Sequence, residues 1–242
     1  MSQPKNYLLS LIIPAFNEEK KIEKDIEAAY AFFGKNKVKA EVIISTDGVT
    51  DKTNEKVRRL QSRYKDLKLI SRHERAGKGF AIKQAVKEAR GKYIMFADAG
   101  LCISFHNVRE GVKRLDKGFD FVLASRADKK SVIVKYQPFY RQLGAKIFGL
   151  IVRYLLGIPK NITDTQCGFK FFKNKIARKL FNNLRTRGLM FDIEIILLAK
   201  KYGLKITDFP VSWTADWDSK LSLPGCLEII KDLLVIKLKY KL

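Results

Sequence analysis

Apolar residues fall along this chain in two alternating rhythms. Short runs such as LLSLIIP (8–14), EVIIST (41–46), LKLIS (67–71), KYIMFA (92–97) and FDFVLAS (119–125) are dominated by apolar side chains. Between them apolar residues return every three or four places: in 18–33, with Ile22, Ile26, Ala29 and Phe33, then in about 52–63, Lys78–Ala89 and about 105–116. Continuous short runs predict strands covered on both faces, and the wider spacing predicts helices with one buried side. The alternation predicts an α/β fold, a mostly parallel sheet flanked by helices on both faces. Gly34 is the expected stop of the first helix.

After residue 125 the pattern changes. Between Lys129 and Lys160 there are seven basic residues and no acid, with Tyr136, Phe139, Tyr140, Phe148 and Tyr154 interleaved. GFKFFK (168–173) reads as a strand, FDIEIILLAKKYG (191–203) as a helix and LKITDFPVSW (204–213) as a strand. In the closing segment, 224–242, Leu227, Ile230, Leu234 and Leu238 repeat at helical spacing with lysines between them. No repeat, low-complexity stretch or linker divides the chain, so a single domain over 1–242 is expected.

Composition narrows the partners. With 242 residues and 46% apolar content the chain can bury a sizeable core. Its net charge of +23 favours nucleic acid, acidic lipid headgroups or phosphorylated substrates, and reads equally as a solvated lysine-rich surface. No helix-turn-helix, zinc-finger or RNP-type string accompanies the charge, so no nucleic-acid partner is expected. Cys102, Cys167 and Cys226 form no CxxC pair, and with two histidines they give no zinc-binding spacing. Reduced thiols in the cytoplasm are the expectation. The run Leu8–Ile13 is too short for a signal sequence, and no stretch of 18 apolar residues offers a bilayer span.

Ligands of parallel sheets sit beyond the carboxyl ends of the strands, and polar strings stand there. In PAFNEE (14–19), Pro14 ends the strand and Asn17 can cap the next helix, whose amides favour an anion; an ordinary strand-to-helix turn reads the same way. In STDGVTDKT (45–53), Asp47 can accept from a base or ribose, or simply belong to a turn, with Thr50 or Asp51 capping the following helix. AGKG (76–79) sets Lys78 between two glycines that let backbone approach a ligand, without Walker spacing; a glycine-flanked helix start with an exposed lysine is the alternative. YIMFADAG (93–100) ends in Asp98, a carboxylate that needs solvent, hydrogen bonds or a cation, or that caps the next segment. Ala99 and Gly100 leave room for a bulky ligand.

Taken in order, LIIPAFNEE, IISTDGVTDKT, GKGFAIKQAVKEARGKYIMFADAG and FVLASR resemble glycosyltransferase family 2. DTQCGFKFF (164–172), FDIEIILLAKKYG and FPVSWTADWDSK (209–220) resemble its dolichyl-phosphate glucosyltransferase and polyprenyl-phosphate sugar transferase branch. The resemblance runs from about Leu9 to Leu234. It implies the GT-A fold, a Rossmann-like nucleotide-sugar sheet. It also implies inverting transfer of a sugar, expected to be glucose from UDP-glucose, to a polyprenyl phosphate. By motif position, Pro14, Ala15, Phe16, Asn17, Glu18, Asp47, Lys78, Gly79, Asp98 and Ala99 would bind the nucleotide sugar. Asp98 would also hold Mg2+ or Mn2+, and Asp98, Asp164 and Gln166 would stand at the reacting centre. Arg126, Arg141, Ser219 and Lys220 would clamp the acceptor phosphate.

The chain departs from the family strings at four places. Thr46 and Val49 replace an acid and a serine of DDGS, Gly100 replaces the second acid of DxD, and Asp218 replaces the glycine before Ser219-Lys220. Donor phosphates and waters can complete the shell of a cation held by one carboxylate, so weak metal binding through Asp98 is one expectation. A protein that keeps the nucleotide-sugar or lipid-phosphate pocket without turnover is the other. Gly100→Asp would be expected to restore a missing acid under the first reading. In place of a membrane span, the segment 129–160 is expected to rest on an anionic membrane surface, placing the protein peripherally on a cytoplasmic face, and the C-terminal helix 224–242 could add a second contact; packing of both against the sheet with their lysines solvated is the alternative.

Overall fold

The computed structural model describes residues 6–216 and 223–240. Its strands are β1 (Leu9–Ala15), β2 (Ala40–Asp47), β3 (Leu67–Arg72), β4 (Tyr93–Ala97), β5 (Phe121–Ser125), β6 (Val132–Lys135), β7 (Phe169–Lys173), β8 (Ile206–Pro210) and β9 (Ser212–Thr214). Its helices are α1 (Ile22–Lys35), α2 (Thr53–Gln61), α3 (Lys78–Glu88), α4 (Val108–Asp116), α5 (Phe139–Leu156), α6 (Asn174–Asn182), α7 (Phe191–Lys201) and α8 (Leu223–Tyr240). Seven strands form the central sheet in the order β3-β2-β1-β4-β7-β5-β8. Neighbours run parallel except β7, which is antiparallel to both β4 and β5.

The sheet is apolar on both faces, which is why its strands lack a polar–apolar alternation. Along β1, Leu9, Leu11 and Ile13 pack with Ile22 and Ile26 of α1 and Val57 of α2. Ile12 faces the other way, toward Ile82 and Val86 of α3 and the buried sides of α6 and α7. This two-period arrangement, with helices on each face, is the architecture the sequence predicts.

Several boundaries move; β1 runs past Pro14 to Ala15, and three shifts are larger. The first helix starts at Ile22 rather than residue 18 and passes Gly34 to end at Lys35, where Asn36 Nδ2 donates to Phe32 O at 2.6 Å. The predicted helix at 105–116 opens with a 3₁₀ turn, Phe105–Asn107. The predicted strand 204–213 breaks in two. Pro210 ends β8 with no N–H to continue a ladder, and β9 leaves the main sheet to pair in parallel with β6.

In α5 only Val152 and Leu156 are buried. Phe139 is 77% exposed and Tyr154 85%, and Leu143, Ile147, Leu150 and Ile151 are also exposed. Arg153 turns inward, its guanidinium donating to Ile162 O at 2.6 Å. Val132, Val134 and Tyr136 beside it, and Leu234, Val235 and Leu238 of α8, are exposed as well. Among the described residues no helix is long and apolar enough to cross a membrane.

Candidate active site

The carboxyl ends of β1 and β2 are stitched to each other. Asn17 adopts φ of 53°, a conformation asparagine tolerates, and does not cap α1. Its Oδ1 instead accepts from Thr50 N at 2.9 Å, and its Nδ2 donates to Thr50 Oγ1 at 3.1 Å. Glu18 N donates to Thr53 Oγ1 at 2.8 Å, and Asp51 accepts from Thr53 N at 2.9 Å at the start of α2. Pro14 and Ala15 close β1 in register with Ser45 and Thr46. The Arg75 guanidinium lies 4.1 Å from the centre of the Phe16 ring. Asp47 is buried and accepts from Ala76 N at 2.8 Å and Gly77 N at 2.5 Å, so it fixes the turn before α3.

The glycines around Lys78 answer to the protein's own chain. A Cβ at Gly77 would lie 2.4 Å from Arg187 O, and one at Gly79 2.6 Å from Phe191 Cβ. Phe80 N donates to Arg187 O at 3.1 Å, and Gly79 N to Gly188 O at 3.3 Å. The close approach expected for a ligand is therefore made by the segment leading into α7, which occupies the first amides of α3. The result is a fixed Lys78, whose Nζ stands 2.7 Å from Asp98 Oδ1. Burial works against its charge, but the Asp98 and Asp192 carboxylates outweigh it and hold the ammonium above its usual pKa.

Asp98 directly follows β4 and stands on the wall of a cavity of about 230 Å³, together with Arg126, Gln166, Asp25, Trp213 and Asp216. Asp98 N donates to Gly168 O at 2.8 Å. A Cβ on Gly168 would fall 2.0 Å from Asp98 Oδ2, so the glycine leaves the Asp98 carboxyl its present position. Arg126 and Asp164 form a two-pronged pair, Nε to Oδ2 at 2.7 Å and Nη2 to Oδ1 at 3.0 Å. Burial pushes the Asp164 carboxyl up, but Arg126 and the backbone amides of Arg126 and Gln166 hold it below its usual pKa. Gln166 Nε2 is buried and lacks a hydrogen-bond partner among the described residues. Arg141 sits in the first turn of α5, just beyond Gln137 on the cavity wall. Ser219 and Lys220 lie outside the described residues.

Sequence reasoning missed three of these groups. Asp25 looks like a first-turn acid of α1, yet it is buried and takes the N–H of Gly100 at 2.9 Å. Burial pushes its carboxyl up to about 6, against the pull of that amide. Asp216 and Trp213 arrive with β9, which no local signal ties to β4. Behind the cavity, Lys170 is fully buried at the centre of β7; its Nζ donates to Asp192 at 2.5 Å and to Cys167 O at 2.7 Å. That pair anchors the loop carrying Asp164 and Gln166. Cys102 and Cys167 are free thiols whose pKa values burial pushes up to about 11 and about 12, far from a reactive thiolate.

Comparison with known proteins bears on the whole chain. The profile of Glycosyl transferase family 2 matches residues 10–181. A dolichyl-phosphate beta-glucosyltransferase of Saccharomyces cerevisiae is 31% identical over 252 residues, covering 97% of this chain and 75% of that protein. One of Homo sapiens is 30% identical, covering 96% and 75%. Among solved structures, a Mycobacterium tuberculosis glucosyl-3-phosphoglycerate synthase in complex with Mn2+, UDP-glucose and phosphoglyceric acid superposes with a TM-score of 0.68. It is 18% identical and covers 97% of this chain and 79% of that one. This likeness establishes the GT-A-type fold.

Proposed function

The chain belongs to glycosyl transferase family 2, and we propose that it is an inverting glucosyltransferase, moving glucose from UDP-glucose to a polyprenyl (dolichyl-type) phosphate at a membrane surface. The observation that carries this reading is the convergence of Asp98, Arg126 and Gln166 on one cavity, in a chain that matches dolichyl-phosphate glucosyltransferases along almost its whole length.

In the reaction the bond between the anomeric carbon and the UDP oxygen breaks, and a bond from that carbon to an acceptor phosphate oxygen forms. UDP leaves as an anion. The acceptor is already ionised and needs no strong base, so the protein's work is alignment and charge neutralisation. The Asn17–Thr50 and Asp47–Gly77 contacts shape the nucleotide end of the site, with Pro14, Ala15, Phe16 and Glu18 along it. Lys78 and Ala99 stand where the diphosphate passes toward Asp98, while Gly79, its amide taken by Gly188 O, holds Lys78 in place. Gln166 offers its free N–H to a ligand oxygen. Arg126, aimed by Asp164, receives the acceptor phosphate, with Arg141, Ser219 and Lys220 from the distal half of the chain.

Among the described residues no three His, Cys, Asp or Glu side chains converge as a preformed metal cage. A carboxylate on the cavity wall with room for donor phosphate beside it suits a hard cation, Mg2+ or Mn2+, that takes several oxygens from its substrate. Asp98 would hold it, and the bound cation would supply charge neutralisation to the departing diphosphate.

The apolar flank of α5 with Lys129, Lys130, Lys135 and Lys146 fits a peripheral seat on anionic lipid, each such charge contributing about 1 kcal/mol. That surface would put the protein where a lipid-linked acceptor lies, on the cytoplasmic face. The test is a donor screen with a short polyprenyl phosphate and Mg2+ or Mn2+, with mass detection of the lipid product. A hexosyl-phosphoryl-polyprenol formed from UDP-glucose supports the reading. A folded protein that makes no product from any common nucleotide sugar overturns it.

A further inference from the structure

Gly100 stands where the family's DxD string carries its second acid. Its φ is 99°, which L side chains rarely adopt, and its N–H is held by Asp25. A Cβ built on Gly100 comes within 3.0 Å of Asp216 Oδ2. A carboxylate thus already stands beside the point from which an aspartate at position 100 would branch, delivered by the segment that follows β9. Asp216 also borders the same cavity as Asp98. The buried Nε2 of Gln166, without a partner among the described residues, borders it too, as a donor that a ligand oxygen would satisfy.

We propose that Asp216 supplies the second protein carboxylate for the divalent cation of the donor complex, replacing the acid absent at position 100. The assignment rests on the glucosyltransferase reading above. Both carboxylates are paired with ammonium groups in the structure: Asp98 with Lys78 at 2.7 Å, and Asp216 with Lys21 at 2.6 Å. Diphosphate entering the cavity offers both lysines a stronger anion, and each lysine that turns to phosphate releases a carboxylate to the cation. Each acid is neutralised by its own lysine until the ligand that brings the metal arrives. Asp25 is not part of this set, because both of its oxygens face the Gly100 amide.

The test is Mn2+ binding to the full chain saturated with UDP, read by electron paramagnetic resonance of free Mn2+, which needs no turnover. Asp216→Asn is expected to weaken Mn2+ about tenfold or more, while Asp216→Glu, which keeps the charge, stays within about threefold of the parent. Lys21→Met breaks the same ion pair from its other end and is expected to leave Mn2+ affinity unchanged or tighter. Equal weakening by Lys21→Met and Asp216→Asn would mean that only the ion pair matters, and would overturn the assignment. So would an Asp216→Asn protein that binds Mn2+ like the parent. If Asp216→Asn fails to fold, Asp216→Ser, which also removes the charge, is read by the same criteria: weakened Mn2+ binding supports the assignment and parental binding overturns it. A parent chain that binds UDP but no Mn2+ removes the assignment and leaves the nucleotide site standing. A parent chain that binds no UDP removes both.

Discussion

Gly168→Ala isolates the position of Asp98 from its chemistry. The substitution adds one methyl group and removes no charge. That methyl would sit 2.0 Å from Asp98 Oδ2, 2.1 Å from Cγ and 2.5 Å from Oδ1, where unstrained carbon contacts are about 3.5–4.0 Å. The carboxyl must therefore swing away by roughly 1–2 Å to restore ordinary contact. It has somewhere to go, since the Asp98 side chain is 39% exposed. The stability cost should thus fall at the low end for overpacking, about 1 kcal/mol, which shifts Tm by about 2–4 °C in a chain of this size. The swing breaks the 2.7 Å contact with Lys78 and misplaces the group assigned to the diphosphate. A displacement of about 1 Å in such a group costs about 10²-fold in rate, or about 2.7 kcal/mol at the transition state. The assay is kcat/KM for glucose transfer beside thermal unfolding followed by circular dichroism. Gly34→Ala is the control: a Cβ there meets nothing within 4 Å, and both readouts should hold. Gly168→Ala with activity within about threefold of the parent, against the 10²-fold expected, would refute the placement of Asp98 at the reacting centre. A large loss of stability would refute the claim that the clash is relieved by one mobile side chain.

Other expected outcomes follow from the same contacts. Gly100→Asp should lower activity rather than raise it, because position 100 has positive φ and its Cβ abuts Asp216; a gain in kcat would contradict the account of Asp216. Burial pushes the Asp25 carboxyl up to about 6, so the folded chain binds that proton more tightly than the unfolded chain does. This contribution to stability is present below the unfolded pKa of about 4 and fades as pH rises through about 6. Asp25→Asn should therefore gain stability relative to the parent between about pH 4 and 6.5, read by urea unfolding across that range; a pH-independent difference would contradict it. Replacing Phe139 and Ile147, both exposed on α5, with aspartate should leave Tm nearly unchanged. It should abolish flotation with phosphatidylserine vesicles; vesicle binding equal to the parent would remove α5 from the membrane contact.

What the sequence reveals and what it hides divide along physical lines. The strands β1, β2, β4 and β5 could be read because both faces are buried and every position reports it. The direction of β7 could not, because GFKFFK has the same composition whichever way it runs and its neighbours are set by tertiary pairing. Lys170 at its centre reads as a surface residue; its partner Asp192 is on another element and no local spacing connects them. The strings around Asp98, Arg126 and Gln166 pointed to one site, and these three residues do share a cavity. The glycines of AGKG were legible as a close approach, but not as an approach by the chain itself. Asn17 was legible as a turn residue, but its partner Thr50 lies on the loop after a different strand. Asp216 lies inside the string FPVSWTADWDSK, but nothing local marked it as a neighbour of Gly100, since only folding sets the segment after β9 there.

The most direct measurement of the central claim is a single turnover of UDP-glucose with a short polyprenyl phosphate by the parent chain, its Asp98→Ala variant and its Arg126→Met variant. Each product is analysed by NMR at the anomeric carbon. The account predicts a β-linked glucosyl phosphate from the parent and rates lowered by about 10²-fold or more in both variants. An α-linked product, or a parental rate in either variant, would contradict it.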